Sequence, residues 1–66
     1  MVAERIKSWR KQNGMTQAAL ARKLNVTRSS VNAWEMGTAV PSTAILIEIA
    51  QLFHVSTDFL LGLQDT

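Results

Sequence analysis

Cysteine is absent from the 66-residue sequence, and so is any long run of apolar residues. Without cysteine, neither a disulfide framework nor a zinc site of thiolates can stabilise the fold, and the redox compartment is left open. The apolar stretch at 43–50 is short and is interrupted by Glu48, so the sequence predicts no membrane span and no signal peptide. We expect a single domain over residues 1–66 that depends on a small hydrophobic core.

Catalytic groups are also scarce. The only histidine, His54, has no cysteine to pair with, the acidic residues are scattered, and there is no glycine-rich phosphate loop. Composition does not exclude a serine–histidine pair, but nothing in the sequence places one. We therefore expect that the protein is not an enzyme and that it uses no metal, nucleotide or covalent cofactor.

What the sequence does contain is positive charge concentrated in its first half. Hydrophobic residues make up 47% of the chain and charged residues 18%, a balance that favours a folded domain. Seven basic residues and one acidic residue give residues 1–34 a net charge of +6, whereas four acidic residues give residues 35–66 a net charge of −4. This asymmetry suits a domain that presents one face to a polyanion, although an unevenly charged solvated surface explains it equally well.

Apolar residues recur at helical spacing in five segments. The spacing and the capping residues predict helices over 2–12, 17–24 and 28–36, a fourth helix that starts after Pro41 and Ser42 and ends near His54, and a short fifth helix capped by Ser56 that carries Phe59 and Leu60. No segment alternates with the period of a strand, and no repeat is visible. The predicted fold class is all-α.

Helices two and three are joined by a very short segment. Leu24 ends one helix and Thr27 caps the next, so only Asn25 and Val26 lie between them. Two helices joined this closely must cross at a steep angle, which is the geometry of a helix-turn-helix motif. Ala21 is small enough to let the two backbones approach at the crossing.

The residues of this motif resemble the helix-turn-helix of phage repressors and bacterial Xre-type regulators. The resemblance covers residues 5–62, and its joint spacing is specific although each element alone is weak. It is carried by Trp9-Arg10, Thr16-Gln17, Leu20-Ala21, Asn25-Val26, Val31, Trp34-Glu35, Gly37, Pro41, Ile49-Ala50, Phe53, Val55-Ser56 and Asp58-Phe59-Leu60. It implies a compact five-helix domain of the lambda-repressor type that binds double-stranded DNA sequence-specifically. It also implies a transcriptional regulator, by expectation a repressor, that acts in the cytoplasm of a bacterium or of a phage's bacterial host.

The resemblance assigns DNA base contacts to three positions of the third helix, which are Arg28, Ser29 and Ala33. A wheel drawn for this helix turns Val31 and Trp34 inward and leaves these three positions on the outward face. The Arg28 guanidinium can donate two hydrogen bonds to O6 and N7 of guanine, whereas Ser29 is less selective and the Ala33 methyl can only touch a thymine methyl. The alternative for Arg28 is a solvated charge or a partner for Glu35.

Phosphate contacts are expected from Gln17, at the start of helix two, and from Thr27, Asn32 and Thr38. Capping and plain solvation are the alternative roles of these side chains. Members of the family often carry a basic residue between helices three and four, but the loop at 38–40 has none. We therefore expect fewer released counterions and a shallow salt dependence of DNA binding.

Two further assignments follow from the resemblance. Arg10 and Glu35 match a family ion pair, so we assign both to structure rather than to DNA contact.

Helix four is more apolar than one core face requires, and Ile45, Ile47 and Leu52 are candidate contacts of a homodimer that forms on DNA and is weak or monomeric in free solution. An ordinary core with partly exposed edges explains the same residues.

A different function remains open on the same scaffold. The neutral loop at 38–40 and the small residues Ser29 and Ala33 favour a protein-interaction or antitoxin-like module that has lost operator binding. Gln17, Arg28 and the basic first half favour DNA binding instead.

Overall fold

The computed structural model describes residues 2–54 and Leu60. It contains four helices, α1 (Val2–Gln12), α2 (Gln17–Leu24), α3 (Arg28–Met36) and α4 (Thr43–Phe53), and no strand within the described residues. The bounds of the first three helices are those predicted, and the fourth starts and ends where the capping residues indicate. The described part thus supports an all-α fold with four helices rather than the five predicted. The predicted fifth helix, with Ser56 and Phe59, lies outside the described residues except for Leu60, which is helical.

Each of the three later helices starts at a hydroxyl side chain. In each case that hydroxyl accepts a hydrogen bond from a backbone N–H three residues further on, which satisfies one of the free donors of the first turn. The donor–acceptor pairs are Ala19 to Thr16 at 3.0 Å, Ser30 to Thr27 at 3.2 Å, and Ile45 to Ser42 at 3.3 Å. The local sequence therefore fixes where each helix begins.

The same three helices end at residues with left-handed backbone geometry. Asn25 has φ 57°, Gly37 has φ 79° and His54 has φ 57°. Glycine adopts this region without steric penalty, and asparagine and histidine are among the other residues found there most often. The backbone N–H of each residue bonds to carbonyls of the last helical turn, so the chain can reverse direction within two or three residues.

The core lies where the four helices meet. Its fully buried side chains come from each helix in turn and from the residue near the end of the chain, namely Ile6, Leu20, Val31, Ile49 and Leu60. The α3 helix packs against both α1 and α2, and α2 also contacts α4. Trp9 of α1 and Phe53 of α4 stack with their ring centroids 6.4 Å apart, which connects the first helix to the last described one.

Candidate nucleic-acid interface

The turn between α2 and α3 sets the direction of the candidate recognition helix. Asn25 turns the chain in the left-handed region, and the Val26 N–H donates to the Ala21 carbonyl at 3.0 Å. Ala21 is buried, and Leu24 and Val31 on either side of the turn belong to the core. These contacts hold α3 firmly against α2, so the outward face of α3 is presented by a rigid support.

The α3 helix divides cleanly into an inner and an outer face. Val31 and Trp34 are buried in the core, as the helical wheel predicts. The side chains on the other face are exposed or half-buried, and they are Arg28, Ser29, Asn32, Ala33 and Met36. Ala33 is the half-buried member of this set. The three predicted base contacts therefore share one accessible surface.

Arg28 opens α3 as an exposed cation. Its side chain has no hydrogen bond or ion pair with any other residue in the described ranges 2–54 and 60. The alternative in which Arg28 pairs with Glu35 is wrong, because the Glu35 carboxylate is taken by Arg10 and Gln17. The Arg28 guanidinium can thus bind an external acceptor without breaking an internal bond.

Arg10 and Glu35 form a two-point ion pair between the end of α1 and the end of α3. The Arg10 Nε donates to Glu35 Oε2 at 2.7 Å, and the Arg10 Nη2 donates to Glu35 Oε1 at 3.0 Å. The two side chains are only 10% and 3% exposed. A further bond from Arg10 Nη1 to the Met15 carbonyl, at 2.8 Å, ties the loop before α2 to the same pair.

Burial and charge act in opposite directions on this pair. Burial disfavours the ionised form of Glu35, but hydrogen bonds from Arg10 and Gln17 and the positive charges of Arg10 and Lys7 outweigh it, so the pKa of the Glu35 carboxyl is lowered. The hydrogen bond to Glu35 raises the pKa of Arg10 in turn. Both groups are therefore charged at neutral pH.

Gln17 lies at the first position of α2, but its amide is engaged within the protein. Its Nε2 donates to Glu35 Oε1 at 3.1 Å and to Asn32 Oδ1 at 3.3 Å. Two predicted phosphate contacts, Gln17 and Asn32, are thus brought together and bonded to each other. This junction could not be predicted from the sequence, because the partners are 18 and 15 residues apart and no local pattern relates them.

The hydroxyls of the other two predicted phosphate contacts also have internal roles. The Thr27 hydroxyl caps α3 and lies 3.0 Å from the Ser30 hydroxyl. The Thr38 hydroxyl donates to the Ala33 carbonyl at 3.3 Å, beyond the end of α3. Both threonines are exposed, so their free lone pairs and nearby backbone groups remain accessible.

The apolar residues proposed for dimer contact are separated by the structure. Ile45 and Leu52 are half-buried and pack against the core. Ile47 is 44% exposed. Among these three residues of α4, Ile47 is thus the exposed one.

The remaining searches of the described residues concern metals and membranes. No group of three or more histidine, cysteine, aspartate or glutamate side chains is placed to hold a metal ion within residues 2–54 and Leu60. In the same part of the chain, no helix has both the length and the apolar character that crossing a membrane requires.

Comparison with known proteins identifies related sequences. The family model described as Helix-turn-helix matches residues 6–60. The chain is 41% identical over 61 residues to the uncharacterized HTH-type transcriptional regulator YqaE of Bacillus subtilis, covering 92% of this chain and 53% of YqaE. It is 39% identical over 56 residues to the antitoxin PezA of Streptococcus pneumoniae, covering 85% of this chain and 35% of PezA. The chain therefore spans about half of YqaE and about a third of PezA.

A solved structure has the same arrangement of helices. The chain superimposes on the P22 c2 repressor, crystallised in complex with the synthetic operator 9T, with a TM-score of 0.89 and 28% sequence identity. The similarity covers 97% of this chain and 97% of the repressor chain. It thus extends over the helix-turn-helix and over the helices that support it.

Proposed function

Because the chain belongs to the helix-turn-helix family, we propose that it binds double-stranded DNA sequence-specifically and regulates transcription as a repressor in the bacterial cytoplasm. The observation that carries the proposal is the exposed face of α3, which opens with Arg28, an arginine without a partner among the described residues, and is backed by the buried Val31 and Trp34. In this proposal α3 enters the major groove and its outward side chains meet base edges.

Arg28 supplies most of the sequence preference. Its free guanidinium donates two hydrogen bonds to O6 and N7 of one guanine, an interaction that is worth about 1–3 kcal/mol of discrimination. Ser29 is exposed beside it and bonds to a base with less selectivity. Ala33 is half-buried, so its methyl can only contact a thymine methyl.

Phosphate contacts hold the register of α3 on the duplex. They come from the start of α2 at Gln17, where first-turn N–H groups lack partners within the helix, from Asn32, and from the backbone near Thr27 and Thr38. The loop at 38–40 carries no positive charge. Few counterions are therefore released on binding, and the affinity falls gently with added salt.

Two copies bind one operator. A two-fold site with half-sites about 10 bp apart, one turn of the double helix, matches a symmetric pair of α3 helices. The exposed Ile47 of α4 provides a small apolar contact between the copies, whereas Ile45 and Leu52 are half-buried and pack against the core. Such a contact is too small to hold a dimer firmly in free solution, so DNA brings the copies together.

The test is an unbiased selection of bound sequences from random duplex DNA at fixed moderate salt. The native chain is compared with Arg28→Ala and with the control Arg22→Ala, which removes an equal charge from an exposed position on α2. We expect the native chain and the control to enrich the same palindrome, and Arg28→Ala to relax one guanine position in each half-site. Failure of the folded native chain to enrich any sequence would overturn the proposal.

A second function is favoured by one specific relative. PezA is an antitoxin, and the neutral loop at 38–40 fits a domain that binds protein rather than DNA. On this alternative the chain is an antitoxin-like interaction module without operator binding. Tight binding to a protein, combined with no enriched DNA sequence, would favour it over the first proposal.

A further inference from the structure

Gln17 of α2 is hydrogen-bonded to Glu35 and Asn32 of α3, and in each of these bonds only one side chain can be the donor. Glu35 is ionised, so both of its oxygens can only accept hydrogen bonds. The Gln17 atom that lies 3.1 Å from Glu35 Oε1 must therefore be the amide nitrogen, not the amide oxygen. The orientation of the Gln17 amide is thus determined by the chemistry of its partner.

The contact with Gln17 also determines the orientation of the Asn32 side-chain amide. The Gln17 nitrogen has two hydrogens, and it donates the second to the Asn32 side chain at 3.3 Å. The Asn32 atom at this contact must be an acceptor, which is Oδ1. The Nδ2 of Asn32, with both of its hydrogens, is consequently turned away from the junction on an exposed position of α3.

The two amides therefore offer different groups to an incoming ligand. Both donors of Gln17 are used inside the protein, and its acceptor Oε1 has no hydrogen bond to any residue in the described part of the chain. A phosphate oxygen, or the N7 or O6 of a purine, is an acceptor and cannot bond to Gln17 Oε1. Asn32 Nδ2 is complementary to such an acceptor, and it has no partner of its own within residues 2–54 and Leu60.

We infer that Asn32, rather than Gln17, donates the side-chain hydrogen bond to DNA at this junction, and that Gln17 is a positioning residue that transmits the orientation of the buried Arg10–Glu35 pair to Asn32. The inference rests on the proposed DNA-binding function. It specifies the chemistry of the ligand group as a hydrogen-bond acceptor, from either a phosphate or a purine edge. It also leaves the Gln17 side-chain amide with no donor for a phosphate oxygen or for the N7 or O6 of a purine.

The test is a double-mutant cycle of affinity for the selected operator. Asn32→Ala removes the donor, and Gln17→Met keeps a side chain of similar length but leaves Asn32 unoriented. A neutral hydrogen bond corresponds to about a threefold to tenfold change in affinity. We expect each single variant to weaken binding by this factor, and the double variant to bind no more weakly than Asn32→Ala alone. Multiplicative losses would show that Gln17 makes its own DNA contact and would overturn the inference.

Two further measurements accompany the double-mutant cycle. They identify which DNA group accepts the hydrogen bond and whether each variant remains folded. A loss by Asn32→Ala that is equal for all sequences indicates a phosphate, whereas a loss confined to one base pair indicates a purine edge. Urea unfolding of each variant separates a loss of folded protein from a loss of contact. In NMR spectra, we expect the Asn32 side-chain amide resonance to shift on operator binding and the Gln17 amide resonance to shift little; the reverse pattern contradicts the inference.

The outcomes distinguish the inference from the function on which it rests. If the native chain selects a sequence but Asn32→Ala binds it with native affinity, only the assignment of Asn32 fails. If the folded native chain selects no sequence, the proposed function fails first and the assignment fails with it.

Discussion

Replacing Glu35 by glutamine neutralises the carboxylate while keeping the shape of the side chain. Arg10 then loses its counter-charge at a place where its side chain is only 10% exposed. Removing one partner of a buried ion pair destabilises a protein by about 3–5 kcal/mol, whereas an exposed pair contributes about 0–1 kcal/mol. Arg10 keeps its bond to the Met15 carbonyl, so we expect the lower end of the buried range, about 3 kcal/mol.

This loss is large for so short a chain. A free energy of unfolding of about 0.05–0.15 kcal/mol per residue gives about 3–10 kcal/mol in total, so the variant will be partly unfolded without denaturant if the total is low. The measurement is urea unfolding followed by tryptophan fluorescence, to which the buried Trp34 and the partly buried Trp9 both contribute. It can be repeated in a stabilised background to obtain a complete folded baseline.

Two control variants test whether the loss of stability comes from burial of the ion pair. Glu48→Gln removes a charge from an exposed position on α4, and we expect it to change stability by less than about 0.5 kcal/mol. The double variant Arg10→Met with Glu35→Leu removes both charges together, so no charge is left uncompensated and most of the lost stability should return. If Glu35→Gln destabilises the chain no more than Glu48→Gln does, the pair behaves as an exposed one and the reasoning is refuted.

The remaining predictions concern a helix end and the response to acid. His54→Gly should stabilise the chain by about 0.5–1 kcal/mol in thermal or urea unfolding, because glycine adopts φ 57° without the steric penalty that histidine bears, while His54→Ala should give no gain. Lowering the pH should reduce the contribution of Glu35, whose pKa is lower in the folded state than its ordinary value of 4.5. That contribution is fully present above the ordinary pKa and is lost as the pH falls through the lowered one, so the free energy of unfolding of Glu35→Gln should depend less steeply on pH in this acidic range; equal slopes for native and variant would contradict it.

The helix positions were predictable because their determinants are local. Thr16, Thr27 and Ser42 each cap a helix through a contact three residues away, and the periodic apolar residues identify the buried face. The resemblance to repressors led to the joint assignment of Arg10 and Glu35, which lie 25 residues apart. Nothing in the local sequence relates these two residues.

Other features depended on packing that sequence patterns do not describe. The bonds from Gln17 to Glu35 and Asn32 require α2 and α3 to be docked first, whereas the sequence alone indicated only a phosphate contact for Gln17. The helical pattern placed the candidate dimer residues Ile45, Ile47 and Leu52 on the flanks of the core face or beyond them, without showing which of them pack and which reach the surface. Only the packed core shows that Ile45 is half-buried whereas Ile47 is exposed, because burial depends on the neighbouring helices.

The outward face of α3 contains two kinds of position, and they differ in how freely they can change over generations. Arg28 and Ser29 have no side-chain bond to α1 or α2 in the described chain, so a gene copy can acquire new residues there one mutation at a time and keep its fold. Asn32 is bonded to Gln17, and any replacement there also alters the surroundings of a residue on another helix. Duplicated copies should therefore diverge first at 28 and 29, and changes at 32 should arise together with changes at 17.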